Sequence, residues 1–347
     1  MLERGLKLSQ IKWTNQQKPS ILPGLLFILF IAIIAYIIGL MFPVLGGAIS
    51  GIILGILIQH FIGTKEYHQA GIDFTLKKLL KVAIVLLGFS FSLTELFAVG
   101  KYSLLIVIVS VIASLTFTYY IGRLFGLHGN TSLLIGAGTA ICGATAIVTL
   151  SPVIKAKEEE LTYAVNTIFA FNVLAILLFP LIAQAVQMPD QYFGIWAGAA
   201  IHDTSSVVAA GYAYSDEAGQ VSVVVKLART LMLIPLVLIV AFVKSVKDNR
   251  LEGTQEGEKV RIWSLFPMFI LVFVLVVLFN SFVTLPEVIP HTASQVAKFF
   301  IVMVMVSVGL KTDIGNIRQV GFKPLFVGLI ASVLISVVSL GLVFALV

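Results

Sequence analysis

Stretches of about twenty consecutive apolar residues recur from Ile21 to Val347, each long enough to cross a hydrocarbon core about 30 Å thick. Such a chain has few folding options. Inside a bilayer no water meets the backbone, so every N–H and C=O must pair within the protein, which leaves helices or a closed barrel. A barrel needs short strands of alternating polarity. These runs do not alternate, so the expected fold class is all-α. Charged residues are 12% of the chain, about half the usual share of a soluble domain, so nearly all of it belongs in the membrane.

Eleven apolar segments fall near residues 21–43, 45–62, 77–94, 102–124, 131–153, 160–186, 191–212, 218–243, 263–283, 293–311 and 322–347. Their number predicts a polytopic protein of about 9–11 transmembrane helices. Residues 1–20 read as a cytoplasmic N-terminal segment, because the following run, Ile21 to Val44, is too long for a signal-peptide core and lacks a small-residue cleavage site. Residues 21–347 read as one transmembrane domain. Its only sizeable polar linker is "KSVKDNRLEGTQEGEKVR", which suits a cytoplasmic loop at 244–262.

The net charge of +6 acquires a meaning once the basic residues are placed on this topology. With the N terminus inside, inner segments hold clusters such as Lys65, Lys77, Lys78 and Lys81, and later Lys244, Lys247, Arg250, Lys259 and Arg261. Outer loops keep Lys101, Lys155 and Lys157. That asymmetry is the positive-inside rule, and it explains the basic balance without a nucleic acid partner. Cys142 is the single cysteine, which excludes an internal disulfide and a cysteine-based metal cage.

Two internal similarities appear when the chain is slid along itself. At an offset of 221, Lys77, Gly88 and Gly100 meet Lys298, Gly309 and Gly321; at an offset of 60, "IGAGTAI" meets "IWAGAAI". Inverted repeats interrupted by glycine or polar residues mark secondary transporters, whose sites lie near the midplane. The segments 131–153 and 191–212 fit that description, either as discontinuous helices or as re-entrant segments entering from opposite sides.

The first of these, "GAGTAICGATAIVTLSP", carries Gly136, Gly138 and Gly143, each of which weakens a helix by about 1 kcal/mol relative to alanine. They form either a close-packing face or a broken helix whose freed backbone, with Thr139 and Thr145, contacts an ion or substrate. The second, "AAIHDTSSVVAAG", carries His202, Asp203, Thr204 and Ser205. An ionised Asp203 in mid-membrane needs a partner, a proton or a cavity; alternatively it caps a half-helix beginning at Thr204. His202 is suited to relaying a proton.

Lys226 and Arg229, in "VVVKLARTLMLIPLVL", share one helix face. Lys226 either snorkels to an interface or joins Arg229, which lies near the segment centre and must face protein or water. Together they argue for an anion site. Asn166 and Asn172 in the sixth segment add hydrogen-bonding groups, either to that site or between helices.

The combination of "GAGTAICGATAI", "WAGAAIHDTSSVVAAG" and "VVKLARTLMLIPLVL" resembles the YeiH-like family of bacterial inner-membrane proteins over essentially the whole chain. That family is often labelled as sulfate exporters and is similar to the cation:proton antiporter and anion transporter superfamily. The resemblance implies inverted repeats with broken helices, and a site role for Gly138, Thr139, Cys142, Gly143, His202, Asp203, Ser205, Lys226 and Arg229. Many relatives have Glu where this chain has Asp203, which keeps the carboxylate. Many have Gln where it has Ser206.

The expected function is therefore secondary transport, in the export direction, of a small anion such as sulfate or a sulfonate, coupled to protons or sodium. The expected location is the bacterial inner membrane, multi-pass, with the N terminus cytoplasmic and the lipid bilayer as surroundings; a homodimer is compatible with this. A sodium-coupled organic-acid symporter and a non-transporting scaffold are the alternatives. No enzyme activity is expected, because three polar residues this close on one segment do not align as a hydrolase triad. No P-loop is present, no cofactor is called for, and the only metal reading is a sodium site at Asp203.

Overall fold

Some helices begin where the sequence supplies a side chain that caps the first turn. Ser92 and Glu95 form a reciprocal capping box, the Ser92 amide donating to Glu95 at 2.8 Å, and the helix that follows is the longest among the described residues. The computed structural model describes residues 20–42, 46–127, 130–252, 266–283, 285–312 and 321–347, without the side chains of 245–252. Among the described residues, all regular structure is helical. The N-terminal segment 1–19 and residues 253–262 of the polar loop lie outside the described residues.

The elements are α1 (Leu22–Met41), α2 (Gly46–Phe61), α3 (Glu66–Phe74), α4 (Leu80–Leu87), α5 (Leu93–Leu124), α6 (Thr131–Ala140), α7 (Ala144–Val153) and α8 (Glu158–Ala185). They continue as α9 (Asp190–Ala200), α10 (Thr204–Tyr214), α11 (Asp216–Leu231), α12 (Leu233–Glu252), α13 (Met268–Phe282), α14 (Val288–Lys311) and α15 (Phe322–Leu346). A π-helical turn at Thr75–Leu79 joins α3 to α4. Among the described residues, six passages are each long and apolar enough to cross a membrane, counting α11 and α12 as one. The polar stretch from Lys244 is helical as far as Glu252, where a loop is expected from sequence; α12 simply runs on beyond the apolar core.

Two bundles are distinguishable by packing. In the first, α2 lies along α14, with α1, α3, α4 and α13 around them. A methyl group on Gly55 would lie 2.8 Å from the Gly309 Cα, so α2 and α14 touch backbone to backbone where van der Waals contact replaces the hydrophobic drive that lipid cannot provide. In the second, α5, α8, α11 and α15 surround the short helices α6, α7, α9 and α10. The bundles meet chiefly where α10 packs on α2 and α14.

The segments 131–153 and 191–212 fold as re-entrant hairpins. The Asn130 side chain, just before α6, reaches the Ile154 carbonyl just after α7, at 3.5 Å. Glu160 at the start of α8 accepts from the Asn130 amide at 2.8 Å. Both ends of the first hairpin therefore sit at one membrane face. At the base of the second, the Tyr214 hydroxyl donates to the Met188 carbonyl, and the Phe193 and Tyr214 rings stack at 4.3 Å. The 28 residues of α8 run from one base to the other, roughly 42 Å at helical rise, so the hairpins enter from opposite faces.

This geometry corrects the placement of Lys155 and Lys157. They follow α7 at the base of the first hairpin, which puts them on the face that holds Arg123 and Lys65, and it leaves Lys101 on the other side. The charge asymmetry is stronger as a result. In a Cys142→Ala background, a membrane-impermeant maleimide should reach Lys155→Cys from the same side as Lys65→Cys and opposite to Lys101→Cys. Labelling of position 155 together with position 101 would reverse the first hairpin.

Ion pairs sit at both faces. Asp73 receives Lys311 and, at 3.4 Å, Lys77 on the lysine-rich side; Lys298 meets Asp216 at 2.7 Å on the other, joining α14 to α11. Burial pushes the Asp73 carboxyl upward, but the two lysines outweigh it and hold the group below its ordinary value. The pair's contribution is therefore present above the unfolded carboxyl pKa and lost as pH falls through the depressed folded one. All three side chains are substantially exposed, so Asp73→Asn should cost no more than about 1 kcal/mol in thermal unfolding, and less in high salt.

Candidate functional site

Four helix ends meet at the hairpin tips. The α6 and α9 chains arrive with their C-terminal carbonyls, and α7 and α10 leave with their N-terminal amides. A helix carries the equivalent of about half a positive charge at its N terminus and half a negative one at its C terminus. The tips therefore gather two negative and two positive poles in a region without bulk water.

The negative poles are occupied by α11. Lys226 Nζ donates to the Ile141 carbonyl at 2.7 Å, to Ile201 at 3.0 Å, and more closely to His202. Arg229 donates to Ala140 at 2.6 Å, to Ile201 at 2.9 Å and to Thr139. Both side chains have 0% exposure, and among the described residues neither forms an ion pair with a carboxylate. The sequence placed these two cations against the anion itself. In the structure all three Lys226 donors and three of the Arg229 donors are spent on helix ends, so the pair acts on a ligand through its residual field.

The positive poles face a cavity of about 710 Å³ between the bundles. On the tip side it is lined by Cys142, Thr145, Asn172, Asp203 and Ser205. Its mouth lies at the lysine-rich face, where Lys77 and Lys81 of the first bundle line it and Lys81 sits 5.6 Å from the Phe269 ring centre.

The two helix starts differ. Asp203 is the N-cap of α10, its carboxylate accepting from the Ser205 amide at 2.9 Å and from the Ser205 hydroxyl. The Asp203 amide donates to Asn172 Oδ1 at 3.0 Å, which anchors the tip to the middle of α8. At α7 the N-cap is Gly143, with φ 65° and ψ −133° and no side chain to offer. Cys142 folds back toward the Ala146 amide, while Ala144 and Thr145 open onto the cavity.

Several sequence-predicted residues lie elsewhere. His202 is buried behind the tip, its Nε2 2.8 Å from the Ser332 hydroxyl. That hydroxyl donates to the Gly328 carbonyl at 2.7 Å, which makes Nε2 the protonated nitrogen. It is Asp203, and not His202, that faces the cavity. Gly138 packs against Ile147 across the hairpin and against Ile168, a close-packing role. Thr139 contributes its carbonyl to Arg229, and its hydroxyl is buried without a partner. Asn166 is partly buried on α8 and does not line the cavity. Thr204 does, together with Ser206.

Sequence reasoning missed Lys77 and Lys81 as site residues, since it counted them only as inner-face charge. Their spacing of four, which places both on one helical face, was the available signal. The π-helical turn beneath Lys77 is of the kind that recurs at functional sites.

A family model described as Conserved hypothetical protein 698 matches residues 23–328. A UPF0324 membrane protein of Clostridium tetani is 38% identical, over 91% of this chain and 94% of its own. UPF0324 membrane proteins of Streptococcus pyogenes serotype M18, at 38%, and Streptococcus mutans, at 35%, align over 92% of this chain and 96% of theirs. No solved structure matches.

Proposed function

The chain belongs to the Conserved hypothetical protein 698 family of membrane proteins, and from that membership and the hairpin geometry we propose that it is a secondary transporter of a small oxyanion such as sulfate or a sulfonate. One observation carries the reading. Two buried cations cancel the negative helix ends at the tips, while the start of α7, whose Gly143 N-cap offers no side chain, lines a cavity through Ala144 and Thr145. Helix N-termini aimed at midplane cavities bind anions.

Alternating access follows from the two-bundle plan. The cavity opens toward Lys77 and Lys81, while on the opposite face Lys298–Asp216 and the packing of α10 on α2 and α14 close the path. Moving the second bundle against the first would exchange open and closed sides. An inverted repeat makes that exchange symmetrical: an offset of 221 lays α2 on α13, α4 on α14 and α5 on α15, and the packing of α2 on α14 is mirrored by α13 on α4. The hairpins and the helices that follow them, α8 and α11, complete the two halves with their order permuted.

Asp203 supplies the coupling. Its carboxylate sits beside the anion position, so an ionised Asp203 repels the ligand and a protonated one admits it. Export from the cytoplasmic face, in the bacterial inner membrane, follows from the family resemblance and from the lysine-rich mouth.

A thermal-shift screen of the purified protein against sulfate, sulfonates and carboxylates at constant ionic strength tests this. Stabilisation by an oxyanion is the expected result, and Thr145→Val should weaken its affinity by about tenfold, the equivalent of one hydrogen bond at about 1.4 kcal/mol. The absence of anion stabilisation and of flux in proteoliposomes would remove the transporter reading.

A further inference from the structure

The tips hold more than an anion site, because their carbonyl oxygens converge on one point. Ile141, Ile201 and His202 all direct their oxygens at Lys226 Nζ. They come from the C-terminal ends of two half-helices that enter from opposite faces. Carbonyl oxygens at half-helix C-termini are the ligands that hold a coupling sodium ion in transporters with broken helices, and hard oxygen donors are what such a cation requires. Here the centre of that cage is an ammonium group.

Neighbouring tip carbonyls are engaged as well. Thr139 and Ala140 accept from Arg229, and Ile201 accepts from Arg229 as well as from Lys226. Beside the tips, one Asp203 oxygen already takes the amide and hydroxyl of Ser205, and Asn172 Oδ1 takes the Asp203 amide. A sodium ion at Asp203 would have to compete with Ser205 for one of the two carboxylate oxygens.

We propose that the Lys226 ammonium is the resident cation of the hairpin tips, standing where a coupling sodium ion would bind, so that the protein works without sodium and removal of the ammonium uncovers a sodium site. This rests on the transporter reading and decides its coupling ion. With the cation built into the chain, the movable charge is left to the Asp203 carboxyl.

The test compares the full-length protein in sodium chloride and choline chloride of equal ionic strength, by thermal unfolding and by anion uptake in proteoliposomes. Wild type should melt at the same temperature and transport at the same rate in both. Lys226→Ala, with the Ile141 and His202 carbonyls left unpaired and Ile201 held by Arg229 alone around a void, should melt several degrees higher in sodium, or fold only there. Lys226→Met, which refills the void with an apolar side chain, should show no such difference. Sodium-dependent melting or uptake of wild type overturns the proposal, as does a folded Lys226→Ala indifferent to sodium. If Lys226→Ala folds in neither salt, the wild-type comparison decides alone. Loss of all anion stabilisation in wild type is a separate result, which sinks the transporter reading and not the occupancy of the cage.

Discussion

Arg229→Ala is expected to lower stability by about 3–5 kcal/mol, the range for removing one member of a buried charged network. The guanidinium has no exposed surface, and it donates to the carbonyls of Thr139 and Ala140. Each acceptor left unpaired without water costs about 1–3 kcal/mol. The α6 and α9 carbonyl ends would also face one another with only Lys226 between them. The loss should be local at first: hydrogen exchange should quicken at the α6–α7 and α9–α10 tips while α5 and α15 stay protected. Arg229→Lys should recover only part of the loss, because one ammonium cannot span Ala140, Ile201 and Thr139 as the planar fork does. A variant that melts like wild type and keeps its tips protected would show that the carbonyls find other donors, and would remove the field argument for the anion site.

The sequence announced the helices, their membrane setting, the two interrupted segments and the presence of a polar centre, because each depends on local composition. Asp203 as a cap before Thr204 was legible for the same reason: the cap, the helix start and the apolar run are contiguous. What it could not supply was direction. His202 and Asp203 are adjacent, yet a backbone that turns at the tip sends one side chain to Ser332 and the other to the cavity. Lys226 and Arg229 are equally compatible with binding an anion and with binding helix ends, and only the arrival of residues 139–141 and 201–202 from distant parts of the chain separates those roles. Hairpin and straight passage have the same composition. The difference lies in contacts such as Asn130 with Ile154, which no local pattern encodes.

Gly143 is where local conformation and ligand binding coincide, and Gly143→Ala is expected to reduce anion affinity by at least about tenfold, or 1.4 kcal/mol, while costing only about 1–3 kcal/mol in stability. Its φ of 65° with ψ of −133° is a combination that a side chain strains against. A Cβ there would also lie 3.4 Å from the Asp203 Cβ, so the two tips touch at this residue. Relieving the strain rotates the peptide that sets the direction of the first α7 amides. The anion's donors then move while the packed arms of the hairpin stay. Gly136 provides the contrast within the same hairpin: its conformation is helical, and a Cβ would press on Thr118 at 3.3 Å. Gly136→Ala should therefore shift melting without shifting anion affinity. Equal losses of affinity in both variants would mean that the tip responds to general loosening of the bundle, and the uncapped start of α7 would lose its claim to be the binding element.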